Sequence, residues 1–304
     1  MNQDALAPYY ADLGRKNYSP GWARPAPSIW PSPKPKFKPA VWRFADARAA
    51  LEKAGDFVPV EQAERRNLIL VNPVEGNIYA TTRNIVSAYQ MVKGGEVANS
   101  HRHSPAALRL VVEAKEGTYT VVNGARVDML PGDVVLTPSW SWHGHVNESD
   151  ATSYWIDFLD VPFVQHAEAM FFEHYPDGLE KVTGTGPTPM RFPAGEPLGP
   201  GKEAKIAEIA KDVLPTFGLH FLRLPAGTKA DVVKTTTNYI YSPVSGSVRF
   251  TAEDGTDATL GPGDVVAMPC WHAHSYCAES DTVMFRVSDE PLLARLGLVR
   301  TRPE

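Results

Sequence analysis

The chain has 304 residues, enough for about two domains. Hydrophobic residues make up 43%, so a sizeable core can be buried and disorder by composition is excluded. The net charge of −5 argues against a nucleic-acid partner, which needs an excess of Lys and Arg on one face. No apolar run nears the roughly 20 residues of a membrane span, so no membrane partner is expected.

The first residues, MNQDALAPYYADLGRK, lack the apolar core of a signal peptide. The two cysteines, Cys270 and Cys277, therefore read as reduced thiols and the chain as cytoplasmic. Residues 1–60 read as a proline-rich arm with a short helix. Within them, 19–42 are extended because proline fixes φ and cannot donate to a ladder. The arm's tryptophans point to packing, either on a neighbouring subunit or on its own barrel. Residues 44–55 read as a helix stopped by Gly55. Short strand-like runs follow through 61–165 (NLILVN, NIVSAYQMV, ALRLVVEA, TYTVVN, DVVLTP, TSYWIDFLD), separated by polar turns as in a sandwich or barrel. A helix over 163–176 and a Gly- and Pro-rich linker fill 166–210, and strands resume at about 217 in a last segment, 211–304.

An internal repeat sets the architecture. PGDVVLTPSWSWH at 131–143 returns as PGDVVAMPCWHAH at 262–274, with Pro, Gly, Asp, Val, Val, Pro, Trp and His coincident. The chain is expected to be all-β, a duplicated β domain with a few short helices. In the first half, His101 and His103 stand at i and i+2, so on a strand both imidazoles face one side. His143 closes the repeat element. Three neutral imidazoles on one side of a metal leave open positions, which suits catalysis better than a closed structural site.

At these residues the sequence resembles the cupin family. Gly95, five residues, then His101 and His103 match its first motif; Gly132, Pro138, His143 and Asn147 match its second. Two departures stand out. Trp140 occupies a glycine position, and the usual glutamate ligand is absent from Ala106, Ala107, Leu108 and Arg109. Three histidines without a carboxylate resemble the bicupin gentisate, salicylate and 1-hydroxy-2-naphthoate 1,2-dioxygenases. The resemblance runs from about residue 41 to 165 and is looser in the second half. It implies two cupin barrels, Fe(II) on His101, His103 and His143, a homotetramer, and O2-dependent opening of an aromatic ortho-hydroxy acid between its carboxyl- and hydroxyl-bearing carbons.

Arg109 shares the strand parity of His101 and His103, and a buried guanidinium without an anion is costly, so it is a candidate carboxylate anchor. The resemblance adds Arg65 and Gln90 as substrate contacts, with Arg66 the confusable neighbour of Arg65. His145 has the parity of His143. It is expected to be an acid–base or hydrogen-bonding group beside the metal, and the resemblance implies that it and Asp157 lie close to the reacting centre. Val86 stands where salicylate-cleaving relatives carry an aromatic residue, which hints at a substituted or larger salicylate. His274 aligns with His143, but no histidine pair precedes it in LPAGTKADVVKTTTNY, so the second barrel is expected to be degenerate. The competing readings are a metal-dependent cupin of another reaction type and a non-catalytic binder of small acids.

Overall fold

The computed structural model describes residues 3–24, 26–59 and 66–302. They fall into two units, Met1–Lys34 and Pro35–Glu304. The smaller unit opens with α1 (Gln3–Arg15), whose last turn pairs Asp12 with Arg15 and Lys16. The sequence reading had no helix there.

The larger unit is the barrel pair. β1 (Ala40–Trp42) and α2 (Phe44–Phe57) precede β2 (Arg66–Ile69), β3 (Val86–Val92), β4 (Val97–His103) and β5 (Ala107–Glu113). β6 (Thr118–Val122), β7 (Ala125–Asp128), β8 (Val134–Thr137), β9 (His143–Asn147) and β10 (Ser153–Leu159) follow, then α3 (Val161–His166), β11 (Phe172–His174) and β12 (Arg191–Phe192). The first barrel packs the sheet β12-β8-β5-β10-β3-β2 on the sheet β11-β4-β9-β6-β7.

The second half repeats this plan. α4 (Gly195–Leu198) leads into β13 (Lys205–Ile209), β14 (Gly218–Leu224), β15 (Lys229–Val232), β16 (Lys234–Thr235), β17 (Tyr239–Ser245) and β18 (Val248–Ala252). β19 (Asp257–Leu260), β20 (Val265–Met268), β21 (His274–Ala278), β22 (Thr282–Ser288), α5 (Glu290–Arg295) and β23 (Thr301–Arg302) complete it. Its sheets run β1-β20-β17-β22-β14-β13 and β15-β21-β18-β19, with β16 paired to β23 as β4 is to β11.

Strand alternation divides the apolar residues between two cores. One face of β3, β5 and β10 sends Tyr89, Met91, Leu108, Leu110, Ile156 and Phe158 into a cluster shared with Phe221, Ile240 and Phe285 of the second barrel. The other face sends Val92, Val111 and Trp155 into the first barrel with Val122, Val127 and Val135. Each such fully buried side chain contributes on the order of 1.5–3 kcal/mol.

The barrels exchange edges. β1, which precedes the first barrel, pairs with β20 of the second; β12, which precedes the second, pairs with β8 of the first. The aspartates of the repeated PGD turns fasten these edges. Asp264 accepts from Arg43 at 2.8 Å, and Asp133 from Arg191 at 2.7 Å. A second reciprocal pair lies before α3 and α5. Asp160 accepts from the Ala106 amide and from Thr216; Asp289 accepts from the Asn238 amide and from Asn84.

Two expectations are corrected. The segment 163–176 is not one helix: α3 stops at His166, Glu168 adopts φ +56°, and Phe172–His174 pair with His103–His101 as a strand. Its aromatic residues serve a sheet edge rather than a helical face. α2 also runs past Gly55 to Phe57, because that glycine answers a close approach and not a stop. A Cβ there would lie 2.5 Å from Lys93 Cε, and the Lys93 ammonium donates to the Gly55 carbonyl at 2.9 Å. Three short strands (β11, β12 and β13) and a turn of helix also lie within the segment read as helix and linker, 166–210, so strands resume at Lys205 rather than at about 217.

Burial raises the Asp160 pKa to about 6, outweighing the bonds from Thr216 and Ala106 that favour the charged form. A carboxyl whose folded pKa is raised stabilises the fold below its unfolded value near 3.8, and that contribution is lost as pH rises to about 6. Between about pH 5 and 7, wild type should lose about 1 kcal/mol of unfolding free energy relative to Asp160→Asn. Urea unfolding of both proteins across that range checks it; parallel pH profiles would count against it.

Candidate metal centre and active site

β4 carries His101 and His103 on one face, and β9 sets His143 directly opposite His101. The three ring centroids lie 4.4, 4.9 and 5.6 Å apart, and one ligand atom from each ring falls within 4.8 Å of the others. Among the described residues this is the one group of three or more His, Cys, Asp or Glu that converges in this way. All three are buried.

Backbone carbonyls turn two of the rings. His103 Nδ1 bonds the Pro105 carbonyl at 2.8 Å and His143 Nδ1 the Ser141 carbonyl at 3.0 Å, which leaves each Nε2 lone pair for a ligand. His143 Nε2 is buried and has no hydrogen-bond partner among the described residues. Burial first, then Arg109 and the neighbouring imidazoles, push the His143 pKa well below its ordinary value. A neutral ring with an orphaned nitrogen is what a divalent cation needs, so the residues fit a metal.

Trp140 keeps the backbone of the glycine it replaces, with φ +61°. That left-handed conformation is strained for a bulky residue. Its amide bonds the His103 carbonyl at 2.9 Å, and its ring takes the Arg102 guanidinium at 4.5 Å. The repeat preserves this: Trp271 has φ +66° and bonds the Thr235 carbonyl at 2.6 Å. Thr235 thereby marks the position of His103 in the second barrel, and Val232 stands opposite His274 as His101 stands opposite His143.

The inward faces of β3, β5 and β10 form the wall beside the metal position. Asp157 lies opposite both Ala88 and Arg109, and Trp155 opposite Gln90 and Val111. Asp157 accepts from Gln90 and, at 3.0 Å, from Trp155 Nε1; Arg109 Nε stands 3.4 Å away. Arg109 is 1% exposed and donates to Thr137 Oγ1 at 2.6 Å. His145 is buried with its ring 5.0 Å from Trp155 and 6.2 Å from His143. Val86 is buried on the same face as Ala88 and Gln90, opposite Leu159.

The structure thus brings together His101, His103, His143, His145, Arg109, Asp157 and Gln90, and sets Val86 further along the strand face that carries Gln90. Arg65 lies outside the described residues. Its neighbour Arg66 is buried in a two-pronged pair with Glu96, both bonds 2.8 Å, and also donates to the Val58 carbonyl. Arg66 is therefore a structural residue.

Sequence reasoning missed three side chains. Thr137 and Trp155 hold Arg109 and Asp157 in place, and strand parity alone offers both. Phe172 stacks on His101 at 5.3 Å and 26°, and the helical reading of its segment hid it.

Two β-barrels with one open three-imidazole centre define a metal-dependent bicupin. Residues 88–159 match the cupin domain family. The chain is 31% identical to a 5-aminosalicylate 1,2-dioxygenase of Comamonas sp over 98% of its own length and 90% of that protein. It is 32% identical to a gentisate 1,2-dioxygenase of Streptomyces sp over 96% and 94%. The crystal structure of salicylate 1,2-dioxygenase from Pseudaminobacter salicylatoxidans superposes with a TM-score of 0.87 at 29% identity, covering 99% of both chains. The chain belongs to the bicupin family of gentisate, salicylate and 1-hydroxy-2-naphthoate 1,2-dioxygenases, and is an oxidoreductase of that kind.

His103→Ala leaves two imidazoles at the centre. The variant should lose metal and activity together while keeping its fold, as read by metal analysis after gel filtration and by circular dichroism. Full metal content with full activity would remove His103 from the site.

Proposed function

We propose that this enzyme is an Fe(II) dioxygenase that opens an aromatic ortho-hydroxy acid between its carboxyl- and hydroxyl-bearing carbons. The candidate substrates are gentisate, salicylate or a substituted salicylate. Both atoms of O2 enter the product, so no outside reductant is needed. The observation that carries this reading is a buried Arg109 on the wall beside three converging imidazoles.

His101, His103 and His143 would hold the iron, which when bound supplies the open positions where a chelating acid and O2 meet. All three ligands are uncharged, so the metal's double charge is left to the carboxylate and phenolate of the substrate. Arg109, steadied by Thr137 and Asp157, offers the carboxylate a planar fork of donors. Gln90 and Arg65 join it as substrate contacts. His145, packed on Trp155, is placed to hold or move the phenolic proton, and Asp157 keeps the donors around it oriented. Burial of these groups excludes water and strengthens each charge. Val86, smaller than an aromatic residue, leaves room for a ring substituent. The similarity to a 5-aminosalicylate dioxygenase supports a substituted ring.

We further infer a metal-binding cupin over 61–165, a C-terminal barrel over 211–304 that holds no iron, a homotetramer, and a cytoplasmic location consistent with two free thiols.

Anaerobic loading with Fe(II), then O2 uptake with gentisate, salicylate and 5-substituted salicylates, tests the reaction. One of these acids should consume one O2 per ring and yield a new ring-opened absorbance; binding without O2 uptake would overturn the enzyme reading. Arg109→Ala should raise KM at least about tenfold with iron retained, because it removes a charge-assisted fork. An unchanged KM would free Arg109 from the anchoring role.

A further inference from the structure

The second barrel keeps the geometry of the first site but changes its chemistry. On three adjacent strands, β14, β22 and β17, His220, Arg286 and Tyr241 stand directly opposite one another. The corresponding positions of the first barrel, on β3, β10 and β5, hold Ala88, Asp157 and Arg109. The wall that carries a carboxylate in one barrel carries a guanidinium in the other. His274, at the place of His143, is occupied by Tyr241, whose hydroxyl lies 2.9 Å from His274 Nε2.

Among the described residues no carboxylate lies within ion-pair distance of Arg286, and its Nε is buried without a hydrogen-bond partner. Asp289, the nearby buried acid, is taken up by Asn238 and Asn84. The guanidinium lies over the Tyr239 ring, 5.5 Å from its centroid. His220 Nδ1 is also buried and unpartnered among the described residues. Arg286 acts electrostatically on His220, Tyr239, Tyr241, His274 and Tyr276, so one positive charge presides over five aromatic or imidazole rings. Arg286, His220 and Tyr239 are all half-buried.

We propose that this face of the second barrel is a binding site for a small carboxylate, held side-on by Arg286, bonded by His220 and floored by Tyr239. A buried guanidinium donor without an acceptor is unfavourable, and a carboxylate matches its planar fork. His220 can donate from Nδ1 in one tautomer. Burial, with Arg286 adding to it, lowers the His220 pKa to about 4, so the ring is neutral at pH 7 and Arg286 is the cation of the cluster. Glu290 and Asp289 act on Tyr239 from the other side, so the guanidinium has room for one carboxylate group and no more.

The test is equilibrium dialysis of the full-length, Fe(II)-loaded chain under argon, with benzoate and, separately, succinate. Wild type should bind one more benzoate per chain than Arg286→Gln, and in that variant the affinity of the lost site should fall at least tenfold. Thermal unfolding confirms that the variant is folded. If it is not, Tyr239→Leu should weaken the same site severalfold. Loss of the extra equivalent for benzoate alone assigns the site to aromatic acids; loss for succinate as well assigns it to carboxylates in general, ring-opened acids included. Identical stoichiometry and affinity in wild type and Arg286→Gln would overturn the proposal. The readout is binding, so it stands or falls apart from the ring-opening reaction.

Discussion

The structure depends on the two-residue period of three neighbouring strands, β3, β5 and β10. Each sends alternate side chains to opposite sides. Leu108, Leu110, Ile156 and Phe158 seal the first barrel to the second, while Arg109, Trp155 and Asp157, interleaved with them, face the side of the three converging histidines. A slip of one residue in any of these strands would put a guanidinium into the interface and a leucine into the site. Packing and chemistry are thus specified by the same register, and the interface between barrels is what makes the chamber wall rigid.

The opposite wall is fixed differently. His101 and His103 sit where β4 is pinned on both sides, by β9 and by β11. The turn before β9 is held by a tryptophan in a backbone conformation normally left to glycine. Its amide bond to the His103 carbonyl ties the turn to the ligand strand, so the distance between His103 and His143 is a property of the backbone. The local strain is sustained by that bond and by the stacked Arg102.

Much of this was legible in the sequence, for particular reasons. The convergence of His101 and His103 was readable because a strand places i and i+2 together, and the HxH needs no tertiary information. The two-barrel plan was readable from the PGDVV repeat. Arg109, His145 and Asp157 followed from parity or resemblance, and each lies on an inward face. What escaped depends on partners distant in the chain. Phe172 was hidden because an aromatic-rich run after a helix looks like more helix; only its pairing with His103 makes it a strand. Gly55 looked like a stop because nothing in its neighbourhood shows Lys93, 38 residues away. The roles of the PGD aspartates were invisible for the same reason, since their arginines lie before the opposite barrel.

Those arginines carry a consequence for how such a chain can evolve. Asp133 reaches Arg191 and Asp264 reaches Arg43, and the strands beside those arginines close the other half's sheet. Each duplicated unit therefore wears its sibling's hem. A gene split between the copies would yield two fragments, each missing its own border and carrying a stray one. Fusion has become a ratchet: the copy without the three histidines is free to drift in chemistry, but it cannot be discarded.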